Sequence, residues 1–141
     1  MQTIALIACC ASKNSCACKA KEMYISPLFK GSYAYAKKLG AEKIFILSAK
    51  YGLLDENKVI EPYNETLLNK SKPQLIAWAD NVYSELAKVA DVENDKFIIL
   101  AGAVYRKYLI PYLCNYIIPM ETVGSIGKQL AFLKQANATD N

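Results

Sequence analysis

The sequence predicts an α/β protein, a three-layer sandwich around a mainly parallel sheet of about four strands. Apolar runs without polar–apolar alternation recur at residues 3–8, 43–47 and 96–100, the pattern of strands buried on both faces. Helix-start signals fall between these runs, at Ser26-Pro27 and around Pro73. Each run ends in small residues followed by polar ones: Cys9-Cys10, Ser48-Ala49-Lys50 and Ala101-Gly102. Strands alternating with helices imply parallel pairing through right-handed crossovers. Ligands of such sheets bind at the carboxyl ends of the strands.

The elements follow in order. Residues 3–8 form the first strand, and residues 11–24 read as a small-residue, lysine-containing loop. Ser26 offers an N-cap hydroxyl and Pro27 occupies the first helical position, where a missing N–H leaves nothing unpaired. That helix is expected to run to Leu39 and stop at Gly40, with Leu28, Tyr35, Ala36 and Leu39 on its apolar face. Residues 43–47 form the second strand, residues 48–54 its following loop, and Val59-Ile60 a short extended piece. Pro73 opens a long amphipathic helix carrying Leu75, Ile76, Trp78, Ala79, Val82, Leu86 and Val89. Residues 96–100 are the third strand, 104–109 a short helix halted near Pro111, and 116–118 a weaker fourth strand. Residues 124–135 make a last helix with Ile126, Leu130 and Leu133 apolar, and residues 136–141 a frayed polar tail. No repeat, linker or low-complexity stretch divides the chain, so residues 1–141 are expected to form a single domain.

Composition narrows the chemistry. The chain contains no His, which excludes His general bases, Ser-His-Asp and Cys-His arrangements, and His-ligated zinc. Acid–base chemistry must come from Asp, Glu, Lys, Tyr or Cys. Arg106 is the lone arginine among 17 basic residues, and its planar fork suits phosphate or carboxylate. A net charge of +4 permits contact with nucleic acid without demanding it. No run approaches the ~20 apolar residues of a membrane span. Met1-Gln2-Thr3-Ile4 lacks the basic region of an export signal. Five cysteines then read as reduced thiols of a cytoplasmic protein rather than a disulfide framework.

Cys9, Cys10, Cys16 and Cys18 are close in sequence, but C-C-x5-C-x-C is not the C-x2-C pairing of common metal sites. Cys9 alternatively reads as a nucleophile activated by Lys13, and Cys114 as core. Ser48, Lys50 and Tyr51 can serve phosphate or base binding, the first two as donors and Tyr51 as a stacking platform. Glu61, held by Pro62, is a candidate general base or sugar-hydroxyl contact, with Asp55 a second carboxylate six residues earlier. Of ten tyrosines, Tyr24, Tyr33, Tyr35, Tyr51, Tyr63, Tyr105, Tyr108, Tyr112 and Tyr116 can interleave with lysines for stacking, or simply pack with ring inside and hydroxyl out. The segment Gly124-Ser125-Ile126-Gly127-Lys128-Gln129 opens a helix and can present free N–H groups to an anion, though it lacks Walker spacing.

These motifs, in order, resemble a known family. Leu47-Ser48-Ala49-Lys50-Tyr51-Gly52-Leu53, followed by Glu61-Pro62-Tyr63 and Thr66-Leu67, resembles the core motif of DUF6884, an uncharacterised bacterial and phage family. More distantly the chain is similar to the peroxide-stress protein YaaA family, with its "L-S-x-x-Y-G-x-L" strand end and following "x-P-Y". Cys9 and Lys13 match that family's "C-x-x-x-K", residues 24–29 its "Y-x-S-x-L-F", and Ala101-Gly102 with Tyr105 its "A-G-x-x-Y". Gly124, Gly127, Gln129 and Leu130 match its glycine–glutamine region loosely, with one extra residue between the glycines. Relatives often carry His where this chain has Tyr51, and a further Lys where it has Ala11 and Ser12. The resemblance implies DNA binding of the oxidative-stress type, or a neighbourhood of base-modification enzymes and N-glycosidic chemistry.

The expected function is therefore a nucleic-acid or nucleotide-binding domain acting on a nucleobase or its glycosidic bond, with no cofactor and no metal. Glu61 and Lys50 are the expected catalytic residues. Cys9, Lys13, Ser48, Tyr51, Tyr63, Gly102, Tyr105, Arg106, Gly127 and Gln129 are the expected ligand contacts. A non-enzymatic DNA-binding protein and a thiol redox or metal protein are the alternatives. The oligomeric state is left open.

Overall fold

A computed structural model of the chain describes residues 1–138. The central layer is a five-stranded sheet ordered β4-β3-β1-β6-β7. It is built from β1 (Thr3–Ala8), β3 (Lys43–Ser48), β4 (Gly52–Asp55), β6 (Lys96–Leu100) and β7 (Tyr116–Ile117). β1, β3, β6 and β7 run parallel, whereas β4 pairs antiparallel with β3. The non-alternating runs are indeed buried on both faces: Ile4, Ala5, Leu6 and Ile7 of β1 are at most 1% exposed. Truncating such a residue, Leu6→Ala for instance, costs about 2–5 kcal/mol through lost transfer energy and the cavity left behind.

Helices cover both faces. α2 (Pro27–Lys38) and α5 (Ile126–Ala138) pack together on one face. α3 (Lys72–Val89) buries Ala79, Val82 and Leu86 on the other, against Leu6, Leu47 and Ile99. α2 starts where Ser26 Oγ accepts the Phe29 N–H at 3.1 Å, and ends at Gly40, whose φ is +85°. α3 starts with a full capping box between Ser71 and Gln74. Gly31 lets α2 and α5 approach closely, since a Cβ there would lie 3.2 Å from Leu133 Cδ1.

Several local expectations are corrected. The sheet has one strand more than expected, because residues 52–55 pair back onto β3 rather than looping away. Residues 11–24 are not all loop: they include β2 (Cys18–Lys19) and α1 (Ala20–Met23), and β2 pairs with β5 (Val59–Ile60) in a separate ribbon. The inward face of α2 is Phe29, Ser32 and Ala36, and Leu39 is largely exposed because the helix has already ended. Ile76 and Val89 of α3 and Ile126, the first residue of α5, also face outward, while Leu133 is buried. The short helix α4 covers only Ala103–Arg106 and is followed by a single 3₁₀ turn at Ile110–Tyr112. Cys114 is exposed, because Leu113 takes the inward position just before β7. Residues 136–138 are helical rather than frayed, tied down by Asn137 Nδ2 donating to Gly31 O at 3.1 Å. The rest of the expected tail, 139–141, lies outside the described residues. Among the described residues no helix is long and apolar enough to cross a membrane.

Candidate functional site

The sheet order sets β3, β1 and β6 side by side, so their carboxyl ends adjoin. The crossover from β1 leads through α2 to β3, and the chain then returns past β1 through α3 to β6. The two crossovers cover opposite faces, so a crevice opens between the carboxyl ends of β1 and β6. This is the topological switch point at which open α/β sheets bind ligands.

The hairpin turn from β3 to β4 is built on Ser48. Its fully buried Oγ accepts the Lys50 N–H at 3.3 Å and the Tyr51 N–H at 3.0 Å. Both lone pairs are thus engaged, and the Ser48 proton is directed to Tyr63 Oη at 2.8 Å. Tyr63 Oη lies 2.5 Å from Tyr24 Oη. Trp78 Nε1–H donates to Ser48 O at 2.9 Å, anchoring the same turn to α3. Gly52 closes the turn at φ +72°, a left-handed conformation that favours glycine.

Above this polar floor stand cations and rings. Lys13 Nζ lies 4.4 Å from the Tyr63 ring centroid, and Lys50 Nζ lies 6.0 Å from the same ring and 5.3 Å from Tyr51. The Tyr51 and Tyr63 rings meet edge to face at 5.5 Å. Neither lysine has a carboxylate partner: the ion pair among the described residues is Lys88–Glu85, on α3. Cys9 Sγ–H donates to Tyr105 Oη at 3.5 Å, and Tyr105 Oη also accepts the Leu67 N–H. Burial pushes the Tyr24 and Tyr63 hydroxyls well above the ordinary tyrosine range, and proximity to Cys9 adds to it. Burial likewise pushes Tyr105 up to about 12. These hydroxyls therefore remain protonated donors at neutral pH.

On the other side of Cys9, the switch point holds a pocket of about 90 Å³. Its walls include Cys9, Cys10, Ser26, Gly102, Arg106 and Gln129. Arg106 spends one donor on Ala101 O at 2.8 Å. Gln129 Nε2 donates to Gly124 O at 2.9 Å.

The structure thus brings Cys9, Lys13, Ser48, Lys50, Tyr51, Tyr63 and Tyr105 into one cluster, and Gly102, Arg106 and Gln129 into the adjoining pocket. Gly127 is exposed and outside the pocket wall. Glu61 is exposed, in the segment leading to Tyr63, and no hydrogen bond orients its carboxylate. Asp55 is not beside it: Asp55 pairs with Phe45 in the sheet and accepts the Asn57 N–H. The cysteines do not converge, and among the described residues no three Cys, Asp or Glu side chains cluster as metal ligands would. Cys9 and Cys10 leave β1 half-buried, whereas Cys16 is exposed.

Sequence reasoning missed Tyr24, Trp78 and Ser32 as site residues. Tyr24 stood in a quoted motif and among the tyrosines offered for stacking, but not among the expected ligand contacts. The lone tryptophan was read as helix core, although its indole N–H needs an acceptor wherever it is buried. Ser32 interrupts the apolar face of Phe29 and Ala36, and that interruption was its signal.

The model of the family of unknown function DUF6884 matches residues 4–135. The chain belongs to the DUF6884 family. No curated protein and no solved structure matches the chain. The matched span of DUF6884 covers both the cation–tyrosine cluster and the switch-point pocket.

Proposed function

We propose that this DUF6884 protein binds a nucleotide or a single nucleic-acid strand at the carboxyl edge of its sheet. The observation that carries the reading is the convergence of Lys13 and Lys50 on the Tyr63 ring with no carboxylate to neutralise them. Two ammoniums without carboxylate partners, above phenol rings set edge to face, match a backbone phosphate beside a base. Stacking on an aromatic platform is worth about 1–3 kcal/mol per base, and phosphate contact adds a salt-dependent term. A net charge of only +4 argues for this local contact rather than a broad basic face. The resemblance of the strand-end motifs to those of the YaaA family is in keeping with this reading.

Reaction on the base or its glycosidic bond has less support. Lys50 stands at the cluster, but the Glu61 carboxylate is exposed and unoriented. Binding without chemistry is the reading with the greater geometric support. The thiol alternative rests on Cys9 alone, whose Sγ–H is engaged by Tyr105. The test is titration of a fluorescent single-stranded oligonucleotide at several salt concentrations. Affinity that falls steeply with salt, without strand cleavage or base release, supports binding; absence of association removes the reading.

A further inference from the structure

The pocket between β1 and β6 contains a group that the fold itself does not use. Ser32 is 97% buried, its exposure being 3%, and it lines the pocket, with no hydrogen bond inside the protein using its hydroxyl. A helix-borne serine in an apolar surrounding ordinarily bonds back to its own helix. Ser32 Oγ is not among the sealed, unpaired side-chain polar atoms of the described residues, so it opens toward the pocket and can meet a ligand there.

We infer that this pocket takes a single unstacked nucleobase with ring carbonyls, of the uracil or thymine type. The inference rests on the nucleotide-binding reading above and names the base for it. At about 90 Å³ the pocket is far below the roughly 300–1,000 Å³ of sites that enclose drug-sized ligands. It holds one ring and leaves sugar and phosphate outside. Ile7, Ile99, Phe29 and Met120 give it apolar walls, which suit the faces of a ring. A phosphate there would exchange water for these walls with Arg106 as its lone cation, a costly transfer.

The polar groups suit a carbonyl-bearing edge. Arg106 uses one N–H on Ala101 O and retains donors for a ring carbonyl. Gln129 gives its N–H to Gly124 O, which leaves Oε1 to accept a ring N–H. Ser32 can donate or accept. Adenine, a two-ring base, is larger than the single ring that a pocket of about 90 Å³ holds. Cys9 lines this pocket and also contacts Tyr105 of the neighbouring cluster. A base inserted here would therefore carry its phosphate toward Lys13 and Lys50.

The test compares thymidine monophosphate, deoxyadenosine monophosphate and deoxyribose phosphate by calorimetric titration. The thymine ligand should bind about tenfold more tightly than either other ligand, the scale of one good edge contact. Ser32→Val, which removes the hydroxyl and fills the space, should erase that advantage without weakening the baseless ligand. Gln129→Leu, on a half-buried position, should reduce it and gives the readout if Ser32→Val does not fold. Equal binding of the three ligands, or an advantage that survives Ser32→Val, overturns the base pocket and leaves the nucleotide reading standing. Binding of none of them overturns both.

Discussion

The hydroxyls of Ser48 and Tyr63 lie 2.8 Å apart, and this contact fastens the segment after β5 to the end of β3. It fixes the ring over which both lysines stand. Ser48 is fully buried, and its Oγ also holds the N–H groups of Lys50 and Tyr51. The site and the turn therefore share one atom.

Ser48→Ala should lower stability by about 1–3 kcal/mol, the cost of leaving buried polar groups unpaired. Urea unfolding monitored by Trp78, whose indole bonds the Ser48 carbonyl, reads this directly. Oligonucleotide affinity should fall as well, because Lys50 and Tyr63 lose their common anchor.

Gly52→Ala should cost about 1–2 kcal/mol, the penalty of a left-handed alanine. The φ is +72°, and the new Cβ would meet Asn81 Nδ2 at 3.1 Å. Gly102→Ala is the control: no atom lies within 4 Å of a Cβ there, and stability should stay within about 0.5 kcal/mol. Equal losses at the two positions contradict the turn geometry.

Alkaline titration should separate the tyrosines. Tyr24, Tyr33, Tyr63 and Tyr105 are raised, first by burial, with Glu56 adding to the effect at Tyr33. A raised folded value means that the native state holds its proton more tightly than the unfolded chain. The stabilisation is complete below the ordinary tyrosine value of 10.0 and is lost as pH rises through the folded values, about 12 for Tyr105. Near-ultraviolet phenolate absorbance should show these tyrosines ionising late, many of them only on unfolding. Ionisation of all ten together in a folded protein contradicts their burial.

Asp95 contributes to the acid limb, beside Asp91, whose carboxylate is also held below its usual value by hydrogen bonds from Asn94 and Glu93. The Asp95 carboxylate accepts the Gln2 N–H at 2.7 Å and the Asp91 N–H at 2.8 Å, and these bonds hold it below its usual value. A lowered folded value gives stability that is present above the unfolded value of 3.8 and lost as pH falls through the folded one. Asp95→Asn should lower the melting temperature at neutral pH and flatten its fall below pH about 4. An unchanged acid profile contradicts the role.

The fold was legible where one local signal sufficed. Unalternating runs marked β1, β3 and β6, and Ser26-Pro27 and Pro73 marked helix starts. β4 was not legible, because Gly52-Leu53-Leu54-Asp55 is a short edge strand set by the turn on Ser48. The two-residue pairing of β2 with β5 depends on contacts across some forty residues, Cys18 facing Ile60. Of the site, the strand-end residues were readable because topology brings strand ends together. Glu61 was overvalued, since a carboxylate before proline looks the same whether it points into a site or into water. Ser32 was undervalued, since its lack of a partner exists only in three dimensions.

The most direct test of the central claim is the salt dependence of single-stranded oligonucleotide binding for three forms: the native chain, Lys13→Ala/Lys50→Ala, and Lys88→Ala. Lys88 is paired with Glu85 at the far end of α3. Each phosphate contact contributes about 0.7 to the slope of log affinity against log salt for a single strand. The double variant should bind more weakly with a slope smaller by about 1.4, and Lys88→Ala should match the native chain. An unchanged slope in the double variant would show that Lys13 and Lys50 do not meet phosphate, and would contradict the account.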